Sequence, residues 1–137
     1  MYAGRISLAT LFILGGATFN ALFLATGGDY TDFADASYIA FVRSTWRSVV
    51  APNQPLFIGL LIAFEATVGL LALAGKRRTQ LALVGAIGFH VALVTFGWAF
   101  YAWSIPMVAC FGLLLRAELR RSHTIAAEER VEPPLAA

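Results

Sequence analysis

The most regular feature of the chain is a series of long apolar stretches separated by short polar ones. Ile6–Thr26 has 21 residues without a charge, and Leu56–Ala74 has 19 residues with Glu65 as its one charge. A helix crosses the ~30 Å hydrocarbon core of a bilayer with about 20 apolar residues, whereas the apolar core of a signal peptide has only about 7–15. The two stretches are therefore predicted to be transmembrane helices at about 6–26 and 56–74.

The third apolar run is too long for one membrane crossing. Leu81–Leu115 has 35 residues and no formal charge, and as a single helix it would be about 52 Å long. Two helices joined by a tight turn fit better, with the break somewhere in Thr95–Pro106. Gly97 and Pro106 are the candidate breakers. The prediction is a third helix at about 80–96 and a fourth at about 99–117.

The segment 27–55 is the one long connection between predicted helices. Thr31 or Asp32 can cap a helix, and aromatic and aliphatic residues alternate with polar ones after them. This pattern predicts a short amphipathic helix on the membrane surface, and the alternative is a loop with aromatic anchors. Residues 123–137 lack a pattern of core-facing positions and are predicted to form a polar, mobile cytoplasmic tail.

Composition supports a membrane protein. Hydrophobic residues make up 59% of the chain, charged residues 13%, and the mean hydropathy is +0.74, whereas soluble domains carry about 25% charged residues. The predicted fold is an all-α integral membrane four-helix bundle over residues 1–122. The net charge of +2 comes with no basic stripe interleaved with aromatic residues, so nucleic acid is excluded as a partner.

The distribution of basic residues predicts the orientation. With four spans, both termini and the 75–79 loop lie on one side of the membrane and carry eight of the ten basic residues. The opposite side carries only Arg43 and Arg47. Basic residues concentrate on the cytoplasmic side of membrane proteins. The split predicts a multi-pass protein of the inner (plasma) membrane with both termini in the cytoplasm. The eight basic residues of the predicted cytoplasmic side are Arg5, Lys76, Arg77, Arg78, Arg116, Arg120, Arg121 and Arg130.

Two ionisable residues are predicted to lie at membrane depth, where an unpaired charge is costly. Glu65 and His90 are each about ten residues, or roughly 15 Å, from the cytoplasmic ends of adjacent antiparallel helices. They are predicted to form a pair within direct or water-bridged hydrogen-bonding distance. The pair is interpreted as a structural clasp or as a group that relays protons or holds a quinone-like headgroup. If the helices are rotated apart, the partner of Glu65 is Asn20, Thr18 or Tyr101.

Sequence motifs for independent catalysis are missing. His90 is the one histidine within the predicted spans, which does not support a bis-histidine haem, and no metal-ligand cluster or nucleophile motif is present. The single cysteine, Cys110, is interpreted as a small buried hydrophobic residue. No cofactor is evident, although a quinone or a lipid is possible, and the chain is not expected to be catalytic on its own.

The chain resembles the DoxX-like family of small four-helix bacterial membrane proteins. The resemblance rests on Gly4-Arg5 before the first helix, Phe33-Ala34-Asp35 in the first loop, and Phe64-Glu65 followed by Gly69-Leu70-Leu71 in the second helix. It implies a four-helix bundle that is sometimes linked to quinone-coupled sulfur oxidation or to membrane oxidoreductase assemblies. Arg5 and Glu65 are the residues that match the family pattern; His90 follows from depth alone.

Three functional hypotheses remain open on the sequence. The first is an accessory or redox-associated subunit with a quinone or another lipophilic molecule in the bundle, Arg5 at the cytoplasmic rim and Glu65, His90 and Asn20 as the intramembrane polar site. The second is a purely structural subunit of a larger membrane complex, and the third is a small-solute transporter, which would need to oligomerise. Expected partners are membrane lipids and either other membrane subunits or further copies of the chain.

Overall fold

The computed structural model describes residues 2–131, with only the backbone described for residues 123 and 125–131. Within this range the chain forms no strand and four long helices: α1 (Tyr2–Ala25), α2 (Ala40–Leu73), α3 (Lys76–Phe96) and α4 (Trp98–Val131). Each helix contains a stretch long and apolar enough to cross a membrane. The protein is thus a multi-pass membrane protein, and the predicted all-α four-helix fold is confirmed.

The helices pack in chain order around a closed ring. α1 packs on α2, α2 on α3, and α3 on α4. The ring closes through side chains of α4 and α1, with the Phe12 and Phe111 rings 6.3 Å apart and an ion pair between Arg5 and Glu118. Short connections between helices favour antiparallel neighbours. α1 and α4 are therefore neighbours in space although they lie at opposite ends of the sequence.

The two ends of the bundle differ in how they are filled. The basic end contains Arg5, the Ala74–Gly75 connection and Glu118, and the loop end contains residues 26–39 and Gly97. Apolar residues of all four helices are buried together in the half near the basic end, whereas many large apolar side chains point outwards, as expected for a surface in contact with lipid. The buried cluster consists of Leu8, Ala9, Phe12, Val68, Ala72, Ala82, Leu83, Ala86 and Phe111.

Gly97 separates α3 from α4. Its φ of +121° lies in the region that favours glycine, and a Cβ at this position would lie 2.5 Å from the carbonyl oxygen of Ala36. The hydroxyl of Ser37 donates to the carbonyl of Thr95 beside this turn. The prediction of two helices between Leu81 and Leu115 is confirmed, while Pro106, the other candidate breaker, lies inside α4.

The helix predicted between the first two spans starts later than expected. It begins at Ala40 without a side-chain cap, so the prediction of a cap at Thr31 or Asp32 is wrong. Thr31 instead donates from its backbone and hydroxyl to Asp29, which closes a local turn that competes with a helix start. The helical stretch runs from Ala40 through Asn53, where φ −124° and ψ 35° mark a change of direction, into the apolar part of α2.

The last helix is longer than the predicted span. α4 continues past residue 117 to Val131, because its alanine, glutamate and arginine residues are strong helix formers. Residues 123–131 of the predicted tail are therefore helical, and residues 132–137 lie outside the described range. Cys110 is exposed on the outer face of α4, which corrects its expected burial; a weakly polar thiol is compatible with a lipid-facing position.

Candidate functional site

A widened turn of α1 creates the seat for Glu65. Leu11–Thr18 is π-helical. This arrangement is rare in proteins, and where it occurs it is often found at a functional site. A Cβ on Gly16 would lie 2.6 Å from both Cδ and Oε1 of Glu65. The carboxylate of Glu65 therefore rests directly on the backbone of α1, and any side chain at position 16 would displace it.

Three polar side chains form a hydrogen-bonded chain beside this seat. Asn20 donates from Nδ2 to Oε2 of Glu65 at 2.9 Å, and the Tyr30 hydroxyl donates to Oδ1 of Asn20 at 2.7 Å. Burial raises the pKa of the Tyr30 phenol, and the charge of Glu65 adds to this effect. The phenol therefore keeps its proton and remains the donor. The structure brings Asn20 and Glu65 together, as in one of the alternatives left open by the sequence.

His90 is also buried, but it is bonded within its own helix. Its Nδ1 lies 2.8 Å from the carbonyl oxygen of Ala86. Because a carbonyl only accepts, Nδ1 carries the proton and Nε2 presents a lone pair when the ring is neutral. In the described part of the chain His90 makes no direct hydrogen bond to Glu65, so the direct form of the predicted pair is wrong. The Nδ1–H of His90 is instead bonded to the carbonyl of Ala86, four residues earlier in the same helix.

Glu65 and His90 nevertheless border the same small cavity. This cavity has a volume of about 120 Å³ and is also lined by Phe12, Gly16 and Trp103. A buried water needs only room for one molecule and two to four polar partners. The water-bridged form of the Glu65–His90 pair therefore stays a prediction that this geometry permits.

Aromatic rings enclose His90 on several sides. The Phe12, Phe89 and Phe111 rings lie 6.0, 5.4 and 5.3 Å from the imidazole centroid, all in edge-to-face arrangements. These three phenylalanines belong to α1, α3 and α4. Edge-to-face pairs stabilise aromatic packing by about 0.5–1.5 kcal/mol each. His90 is thus a packing centre for three helices as well as a polar group.

A larger cavity occupies the half of the bundle near the loop end. Its volume is about 380 Å³, within the ~300–1,000 Å³ typical of ligand sites. Phe57 and Glu65 both line it from α2, eight residues apart, so it extends about 12 Å along this helix. Its polar wall consists of Asn20, Tyr30 and Glu65, and its apolar wall consists of Phe33, Trp46, Val50, Phe57, Ile58, Leu61, Phe89, Leu93, Phe96, Phe100 and Trp103.

The aromatic wall of this cavity is built by the loop as well as by the helices. The Phe33 ring lies 5.1–5.2 Å from the rings of Trp46, Phe96 and Phe100. Trp46 also donates from its indole nitrogen to the carbonyl of Tyr30 at 2.7 Å. The loop between α1 and α2 is therefore packed down over the ends of α3 and α4 and closes the cavity from that side.

A second polar site lies at the basic end. Arg5 donates from Nε and from one terminal nitrogen to the two oxygens of Glu118, both at 2.8 Å. The Glu118 side chain is 5% exposed and that of Arg5 is 20% exposed. Such two-pronged pairing fixes both position and orientation. Arg5 lies at the basic end of the bundle, where its bonds to Glu118 join α1 to α4; its position at the cytoplasmic rim stays a prediction.

Several members of these sites could not be selected from the sequence. Tyr30 and Phe33 come from a connection whose path is set by tertiary packing, and Phe33 meets Trp46 of α2 and Phe96 of α3 only in the folded bundle. Glu118 did give a signal, because it is the one acidic residue between Glu65 and Glu128. Among the described residues no group of three or more His, Cys, Asp or Glu side chains is placed to hold a metal ion.

Comparisons with known proteins do not extend the assignment. No family model matches the chain, and neither a curated protein nor a solved structure matches it. The resemblance to DoxX-like proteins therefore stays an expectation from short sequence motifs, and the function has to be argued from the geometry.

Proposed function

We propose that the protein binds a lipophilic molecule inside its bundle, between the aromatic wall and the polar wall of the 380 Å³ cavity. The observation that carries this proposal is the cavity itself. An engineered apolar cavity of about 150 Å³ is large enough to bind benzene, so a space more than twice that volume accommodates a substituted ring. Tyr30, Asn20 and Glu65 supply hydrogen-bonding groups at one side of it.

A quinone headgroup is one ligand class that fits this cavity. Its flat ring stacks on aromatic side chains, and its oxygens accept hydrogen bonds from groups such as the free N–H of Asn20. In this proposal the protein is an accessory or redox-associated membrane subunit of the DoxX-like type, and catalysis requires a partner. The purely structural subunit is the competing candidate, in which the cavity has no specific occupant.

Trp103 gives the ligand a route from the membrane. It borders both cavities and is 46% exposed on the outside of the bundle. The wall of the binding space therefore reaches the surface that faces lipid. A lipophilic molecule would enter from the bilayer, since that is where it concentrates, and place its polar group near Glu65.

The proposed function is tested by filling the cavity. Leu61 lines it, whereas its neighbour Leu60 is 58% exposed on the outer surface of the same helix. Leu61→Trp should abolish retention of an added short-chain quinone by the protein purified in a mild nonionic detergent, measured by mass spectrometry after gel filtration. Leu60→Trp should retain it as the wild type does. Equal retention by both variants would assign the quinone to the micelle and refute the proposal.

The orientation belongs to the same proposal: the basic end lies in the cytoplasm and the loop end outside the inner membrane. It is supported by the eight-to-two split of basic residues. In a Cys110→Ala background, a membrane-impermeant thiol reagent should label Asp32→Cys and spare Arg77→Cys in intact cells. Both positions are exposed. Labelling of Arg77→Cys but not of Asp32→Cys would contradict the proposed orientation and indicate the opposite one.

A further inference from the structure

The charged side chains on the walls of the two cavities are of one sign, which is negative. Within the part of the chain that the structure describes, Glu65 is the one carboxylate that lines them, and neither cavity is lined by a lysine or an arginine. The cations nearest in sequence to these walls are engaged elsewhere: Arg43 donates to the carbonyl of Ser37, and Arg47 pairs with Asp35 at 2.8 Å. Among the described residues, Glu65 accepts a hydrogen bond from one donor, Asn20.

The aromatic wall adds to this polarity. Faces of tryptophan, tyrosine and phenylalanine rings carry negative charge density and attract organic cations. Phe33, Trp46, Phe96 and Phe100 form a continuous cluster on the wall, and Tyr30 and Trp103 also line the same space. A carboxylate together with several aromatic rings and no competing cationic side chain is the chemistry that recognises an ammonium group.

We infer that the ligand of the large cavity is a lipophilic organic cation. Its charged group lies against Glu65, beside the rings of Phe89 and Trp103 that line both cavities, and its apolar part lies against the aromatic cluster. This inference rests on the proposed function and narrows its ligand class. A neutral ring of the same shape, such as a quinone, binds the same space more weakly. An anionic lipid or fatty acid is excluded, because its carboxylate or phosphate would face Glu65 without a counter-charge.

The low polarity of the site makes this selectivity strong. A buried charge is stabilised mainly by a partner of opposite sign, because water is displaced from around it. Gly16 leaves room for the Glu65 carboxylate on α1, and the hydrogen bond from Asn20 holds it there, so a move to the bundle surface would break that bond. A bound cation therefore gains a fixed counter-ion, whereas its neutral analogue gains only the apolar contacts.

The test compares three probes of nearly identical shape that differ only in charge: (1-naphthylmethyl)trimethylammonium, its tert-butyl carbon analogue 1-neopentylnaphthalene, and 1-naphthylmethanesulfonate. Equilibrium dialysis with the purified protein in nonionic detergent gives each Kd, and the Leu61→Trp variant corrects for partition into micelles. The wild type should bind the ammonium probe at least about tenfold more tightly than the neutral one. The sulfonate should show no binding above the Leu61→Trp background.

Variants of Glu65 assign the preference to its charge. Glu65→Gln should reduce the ratio of neutral to cationic Kd to about one, and Glu65→Asp should restore a preference of several-fold. Asp32→Asn, which removes an exposed carboxylate outside the cavity walls, should leave the wild-type ratio unchanged. A Glu65→Gln variant that keeps the wild-type ratio would overturn the inference.

The outcomes for the wild type separate the inference from the proposed function. Tight binding of the neutral probe with no preference for the cation refutes the inference and leaves the proposed function standing. A preference for the sulfonate does the same. If none of the three probes binds the wild type better than the Leu61→Trp variant, the proposed function itself fails.

Discussion

The ion pair between Arg5 and Glu118 allows a sharp test of how the bundle is closed. Replacing Arg5 with methionine keeps most of the side chain's length but leaves Glu118 buried without its partner. Breaking a buried ion pair in this way costs about 3–5 kcal/mol. The lower end applies here, because the Arg5 side chain is 20% exposed and water reaches part of it. We therefore expect Arg5→Met to lower the free energy of unfolding by about 3 kcal/mol.

Replacing the other partner, Glu118, with methionine should lower the free energy of unfolding by less, and replacing both partners should lower it least. After Glu118→Met, the long side chain of Arg5 can extend towards water at the end of the bundle. In the double variant no buried charge remains, and replacement of a whole ion pair by apolar residues is often nearly neutral. The double-mutant cycle should therefore show a coupling free energy of at least about 2 kcal/mol.

The assay is unfolding in mixed micelles of nonionic detergent and increasing SDS, followed by circular dichroism. The exposed pair of Arg47 and Asp35 is the matched control, since its side chains are 59% and 40% exposed. Arg47→Met should cost less than about 1 kcal/mol. Strictly additive effects of Arg5→Met and Glu118→Met, or a cost of Arg5→Met no larger than that of Arg47→Met, would refute this account of the closed ring.

Two further predictions concern glycines at which the backbone is tightly approached. Gly97→Ala should destabilise the protein by at least about 1–2 kcal/mol in the same assay, because φ is +121° and the new Cβ would meet the Ala36 carbonyl. The control Gly88→Ala, whose Cβ would have nothing within 4 Å, should be neutral or slightly stabilising. Equal effects of the two substitutions would contradict a strained turn at Gly97. Gly16→Ala should weaken retention of the quinone probe, because the new Cβ displaces the Glu65 carboxylate. The control Gly15→Ala, whose Cβ would make only an ordinary 3.6 Å contact with Leu11, should not weaken retention. Wild-type retention by Gly16→Ala would argue against Glu65 as part of the binding wall.

The number of spans follows from the sequence because the bilayer is a strong constraint. Every backbone polar group in hydrocarbon must be bonded within the protein, so a long apolar stretch has to be helical. The excessive length of Leu81–Leu115 requires a break, and Gly97 is the residue that reaches a positive φ at the least cost. Length, charge and one glycine were therefore sufficient for the four-helix fold.

The identity of the partners of Glu65 was decided by tertiary structure. Its helix is apolar on nearly all sides, so the sequence contains no polar stripe that marks the face turned inwards. Equal depth on adjacent helices made His90 a reasonable partner, but depth does not determine rotation about the helix axis. In the folded bundle the widened turn of α1 places Gly16 and Asn20 against Glu65, and His90 turns to its own helix.

The cavity and the ring closure depend on tertiary structure for a related reason. Arg5 and Glu118 are 113 residues apart, and Phe33 meets Phe96 only because the loop folds back over the helix ends. Contacts of this kind arise from how side chains of different helices fill the space between them, which no local pattern encodes. The sequence by itself determined which segments lie in the membrane and where the charges concentrate; only the packing of the four helices decided which polar groups meet and where space for a ligand remains.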